Sequence, residues 1–242
     1  MSVLKTAGRA DLAAAYKALA ATPSNFMIAF GEGESWWGGQ QQVLLTFAAN
    51  EIQIDADHAP VSGVVVKSAD AVTLYQVTTD YTVNLSTGLI TRVPGGTIPN
   101  NAQVQVTYVA NVPQPNLTTQ ALVAEVGRVP VSSVLYILPF DEAEDPEANF
   151  ILVEGAKYAL MADPTRMLLF QGHLNASDGV GEPIREYGLF SRCAVDPELP
   201  PGQVYFEGEE VTEPGTYVIA KHRSPVPHDG TVGLDMSIII EL

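Results

Sequence analysis

The apolar residues of this chain come in short runs closed by Gly, Pro, Asn, Asp or Ser. That texture specifies strands joined by turns and leaves little room for long helices. Between residues 50 and 112 the runs fall at 64–67, 72–76, 81–85, 89–92 and 104–109, with turns predicted at 86–88 and 94–96. Residues 103–108 alternate polar and apolar with period two, the pattern of a strand with one buried face. Farther on, 131–138, 150–154, 167–174, 188–191, 204–206, 217–221 and 236–241 are strand-sized as well. No longer period recurs and no heptad run is sustained, which excludes repeat arrays and coiled coils.

Two stretches carry helical spacing instead. Over 9–21, Leu12, Ala15, Tyr16 and Leu19 recur on one face of an alanine-rich segment, and over 118–126, Leu122, Val123 and Val126 are in phase. Both lie outside the dense β region, which is followed by Pro113, Gln114, Pro115 and Asn116, a linker composition. The expected fold is mainly β with a few short helices (α+β). A discontinuous domain of residues 1–49 and 114–242 carries an inserted small antiparallel β-sandwich-like domain at 50–112.

Charge narrows the function classes. Asp and Glu outnumber Lys and Arg by 28 to 12, a formal charge of −16, which argues against a grip on nucleic acid or on an anionic membrane surface. Cys193 is the single cysteine, so neither a disulfide nor a cysteine zinc cluster is expected. No apolar run approaches the ~18 residues of a membrane span, and the chain reads as soluble, without an export signal and synthesised in a cytoplasm. Nucleophile elbow, phosphate loop and metalloprotease motifs are absent from the sequence. His58, beside Asp55 and Asp57, reads as a solvated turn, and His173 as a half-buried strand residue. The acidic groups Asp141, Glu142, Glu144, Asp145 and Glu147, and Glu207, Glu209, Glu210 and Glu213, read as solvated loops. Cys193 has no histidine near it in sequence, and residues 31–35 carry two acids and no base, the wrong charge for a phosphate cradle. No catalytic residue, cofactor or metal is expected.

Trp36 and Trp37 lie in a glycine-rich loop. One is expected to pack inward, and the pair is a candidate partner contact because Trp is enriched at interface hot spots.

Residues 81–108 resemble a strand-turn-strand unit of tailed-phage virion proteins, in which Gly88 reverses the chain, Ile90 and Val93 face a core, and Val104, Val106 and Tyr108 close the sheet. Three further stretches, Leu-Val-Ala-Glu-Val-Gly-Arg-Val-Pro-Val at 122–131, Phe-Gln-Gly-His-Leu at 170–174 and Ile-Arg-Glu-Tyr-Gly-Leu-Phe at 184–190, resemble the N-terminal attachment domain of tail-collar, tail-fibre or baseplate-associated phage proteins. The resemblance implies a non-enzymatic virion component (baseplate, tail-fibre adaptor or collar) that docks other virion proteins by oligomeric assembly, itself a homo-oligomer. It adds Arg128, Arg185 and Glu186 to Trp36 and Trp37 as partner-contact candidates. The plainer reading of those three is internal pairing, with Leu189 and Phe190 in the core. Two other functions stay open: a carbohydrate or receptor binder that stacks sugars on Trp36 and Trp37, and a cell-wall glycan hydrolase working through two carboxylates.

Overall fold

A computed structural model of the chain describes residues 6–20, 25–116, 118–141, 149–181 and 183–242. The protein is mainly β, with 48% strand and, among the described residues, one α-helix. Its contacts divide it into two units: Met1–Glu32, Leu117–Lys221 and Pro227–Leu242 form the first, and Gly33–Asn116 with His222–Val226 the second.

The first unit opens with α1 (Thr6–Ala20). Alanine favours this helix, and the Asn25 side chain donates to Leu19 O beyond its last turn, 2.7 Å away. Its inner face packs Ala13 and Tyr16 against the core, and Lys17 Nζ sits 4.0 Å above the Tyr136 ring. One sheet has the order β16 (Thr216–Val226), β13 (Ile184–Ser191), β1 (Phe26–Gly31), β8 (Glu125–Pro130), with β1 antiparallel to both neighbours. The other runs β10 (Phe150–Val153), β11 (Ala156–Met161), β9 (Ser133–Pro139), β12 (Met167–Leu174), β17 (Leu234–Glu241). A short pair, β14 (Ala194–Val195) and β15 (Val211–Glu213), completes the unit.

Strand β1 is apolar at every position because it is covered on both faces. Phe26, Ile28 and Phe30 enter the core between the two sheets, with Leu168 and Phe170 of β12 and Met236 and Ile238 of β17. Met27 and Ala29 point the other way, to Phe190, Cys193, Leu122 and Phe206. The predicted second helix over 118–126 does not form: Glu125 already enters β8, paired with Gly31 of β1. Two further differences concern strands. The hairpin partner β11 had no strand signal strong enough to read, and 204–206 contributes only a bridge, Phe206 to Arg128.

The second unit pairs two three-stranded sheets. One has the order β2 (Gln40–Thr46), β7 (Gln103–Val109), β4 (Ser62–Ser68), the other β3 (Glu51–Gln53), β6 (Leu89–Arg92), β5 (Tyr81–Asn84). Their inward residues, among them Val104, Val106, Tyr108, Ile52 and Ile90, form a core of their own. Residues 72–76, expected as a full strand, only bridge β4 through Leu74 and Tyr75. Asp70 explains this, since its side chain accepts from Ser68 Oγ and Val72 N and turns the chain. The contacts divide at Gly33 rather than at Asn50 because β2 pairs along its whole length with β7, Gln40 opposite Val109 and Thr46 opposite Gln103.

Asp80 staples this unit. It is buried, and its carboxylate accepts from Gln76 N at 2.8 Å, Thr97 N at 2.7 Å and Thr97 Oγ1 at 2.8 Å. These bonds, the Gln76 amide first, hold its pKa below the ordinary aspartate value. A depressed folded-state pKa gives stability that is present above the unfolded value of about 3.9 and is lost as pH falls through the folded one. The second unit is therefore expected to lose thermal stability below about pH 4, and Asp80→Asn to flatten that dependence. Melts followed from pH 7 to pH 2 check this; an unchanged slope in the variant contradicts it.

Candidate functional site

The sequence candidates fall into two groups, one in each unit. In the first unit, Arg128 rises from the middle of β8 and is 4% exposed. Its Nε and Nη2 donate to the two carboxylate oxygens of Glu125 at 2.6 and 3.0 Å, and Nη1 donates to Pro214 O at 2.6 Å. The guanidinium also lies 4.1 Å from the centre of the Phe190 ring. Every side of it is occupied from within, which is what a buried arginine requires. Cys193 joins the same cluster, its Sγ 3.4 Å from Pro214 O. Burial pushes its thiol up, and Arg128 opposes this only in part, which disfavours the thiolate.

Glu186, on β13, is fully buried. Its Oε2 accepts from Val123 N at 3.0 Å and its Oε1 from Ala124 N at 2.8 Å. Those bonds take the amides that a helix over 118–126 would have used. Glu32 N then donates to Ala124 O at 2.9 Å. Gly31 makes the closure fit, because a Cβ there would stand 2.2 Å from Ala124 O and 2.8 Å from Glu186 Oε1. Arg185 Nη1 donates to Glu32 O at 3.2 Å, on the same segment. Burial, with Glu186 and Glu125 adding to it, pushes the Tyr217 phenol up to about 12; that ring packs 4.7 Å from Phe190. Arg128 and Glu186 thus hold β8, β13 and the chain leading into β8 together, and Leu189 and Phe190 are core residues.

In the second unit the two tryptophans sit in a turn rather than on a strand. Trp37 is 3% exposed and Trp36 half-buried. Trp36 stacks on His58 at 4.5 Å and meets Trp37 edge-on at 6.3 Å, while Trp37 stacks on His222 at 4.1 Å. His58 Nδ1 lies 2.6 Å from Tyr108 Oη, and His222 Nδ1 donates to Pro113 O at 2.8 Å. The result is a row of aromatic rings, His222, Trp37, Trp36, His58 and Tyr108. His58 is therefore part of this packing rather than a solvated turn. His222 carries no local signal that would have joined it to the row.

The remaining candidates are structural or lie elsewhere. Glu210 Oε2 accepts from Glu207 N and Gln203 Nε2, both at 2.9 Å, and so caps the turn at Gly208–Glu210. His173 is more exposed than expected and pairs with Asp235 at 2.7 Å. Asp141 is exposed, and Glu142, Glu144, Asp145 and Glu147 lie outside the described residues. Among the described residues no three His, Cys, Asp or Glu side chains converge as metal ligands do.

A family model described as baseplate wedge 3 tail fiber network component matches residues 103–242, more than half of the chain and every strand from β7 to β17. The chain belongs to that family. It is accordingly a structural component of a tailed phage's baseplate and tail-fibre network, located in the virion tail and interacting with other virion proteins. No curated protein matches the sequence.

Proposed function

We propose that the chain works as a non-enzymatic adaptor in the baseplate onto which other virion proteins dock, assembled as a homo-oligomer. The observation that carries this reading is where the reactive side chains go. Arg128 and Glu186 are fixed in the interior of the first unit, Glu125 is held by Arg128 at its surface, and Glu210 caps a turn, while apolar side chains such as Leu152 and Phe150 stand at the surface. A protein of that construction holds shape and offers contacts. The same reading keeps the attachment domain discontinuous, with the second unit as its insertion. Copies that carry −16 each repel, so contacts between copies would be apolar or screened by salt. The carbohydrate reading would rest on Trp36, since Trp37 is covered.

The test is genetic. Particles produced without this chain are expected to lack the fibre network at the baseplate in negative-stain micrographs, with restoration by a supplied copy. Fully fibred particles in its absence would overturn the proposal.

A further inference from the structure

The β10–β11 hairpin ends its sheet in a way that suits a further strand. Leu160 N donates to Asn149 O at 2.8 Å, and Phe140 N to Lys157 O at 3.1 Å. With Ile151 opposite Tyr158, antiparallel alternation turns the N–H and C=O groups of Ile151 and Val153 toward β11 and those of Phe150 and Leu152 outward. Among the described residues no strand pairs with that outer edge. The side chains of Phe150 and Leu152 share a face with Met161 and Lys157 and are 47% and 60% exposed, with Met161 at 38%. This is an open apolar edge, which proteins ordinarily blunt or cover.

The hairpin is also held in place. Its two turn residues, Glu154 and Gly155, have φ of 51° and 84°, the left-handed pair of a tight hairpin turn. Tyr187 Oη donates to the Glu154 carboxylate at 2.9 Å, and Lys221 pairs with it. A fixed edge loses little freedom when a strand is added. One cation stands on the exposed face: Lys157 Nζ lies 4.9 Å from the Phe150 ring and 5.4 Å from the Phe140 ring.

We propose that β10 takes an extended segment of another virion protein as an added strand, a segment that alternates apolar residues with a carboxylate. Its backbone pairs with Phe150 and Leu152, its apolar side chains cover Phe150, Leu152 and Met161, and its carboxylate meets Lys157. This rests on the docking function proposed above and names the partner's chemistry. A second copy fits less well. Residues Phe150–Val153 contain no acid to offer Lys157, and −16 on each copy opposes the approach.

The test compares the free chain with the chain in purified particles. Amide hydrogen exchange at 150–153 is expected to slow at least about tenfold in particles. A carbodiimide, which joins an amine to a carboxylate in contact, is expected to link Lys157 to an Asp or Glu of a different virion protein. Leu152→Pro removes an outward N–H and leaves the hairpin's own bonds intact, and it is expected to lower incorporation into particles. If 150–153 exchanges equally fast in both states, or Lys157 links only to a second copy, this inference falls and the docking function stands. If the wild-type chain is absent from particles, both fall.

Discussion

Glu186→Ala is expected to destabilise the first unit by about 3 kcal/mol, because it removes the acceptor of two part-buried amides, at roughly 1 kcal/mol each, and leaves a void where a buried side chain stood. Val123 N and Ala124 N have no other acceptor once the carboxylate is gone, and Gly31 keeps the segment too close for a rearranged side chain to substitute. Against a total stability of about 5–15 kcal/mol this is a large share, and it corresponds to a fall of roughly 10 °C in Tm. Glu186→Gln keeps one acceptor and turns an NH2 toward the other amide, so it should lose about half as much. Calorimetry on the three proteins decides it. Equal melting of Glu186→Ala and wild type would show that water or a backbone shift replaces the carboxylate.

Arg128→Ala should cost about 2–4 kcal/mol, because it empties a buried site and leaves Pro214 O without its donor, at roughly 1–3 kcal/mol for the lost partner. Glu125 then lacks its two-pronged partner, Pro214 O lacks its donor, and Phe190 loses the cation above its ring. Arg128→Lys retains the charge but cannot bridge both Glu125 oxygens and Pro214 O together, so a loss of about 1.5 kcal/mol is expected. Removing both charges with Arg128→Met and Glu125→Gln should recover at least about 1 kcal/mol over the sum of the single changes. Additive losses in that cycle would mean the pair contributes only through packing.

Most of the strands were legible because their burial is one-sided or complete. Residues 103–108 alternate in sequence and in the structure, where Val104, Val106 and Tyr108 are buried. β1 and residues 167–170 of β12 read as continuous apolar runs because both of their faces are covered. Where the reading failed, a tertiary bond had overridden a local signal. The helical phase of Leu122, Val123 and Val126 is real, but Glu186, more than sixty residues away in sequence, takes the amides that a helix needs. β11 carries no readable signal because four of its six residues are exposed and its polarity follows no period. The expected boundary at Asn50 follows a change in texture, and the pairing of β2 with β7, about sixty residues on, is not visible in that texture. Trp36 and Trp37 stood out by composition alone. That one of the two packs inward is the sequence expectation; that it is Trp37, stacked on His222, depends on a return of the chain that no local pattern announces.

The central claim is that this chain docks other virion proteins in the baseplate as a structural block. A cryo-electron microscopy map of the phage tail, in which both units can be placed, tests it most directly. The account predicts density for the chain at the baseplate in more than one copy, with Arg128 and Glu186 still bonded internally and a strand of a neighbouring protein continuing the sheet at β10. A map that places the chain away from the baseplate, or shows it touching no other virion protein, would contradict it.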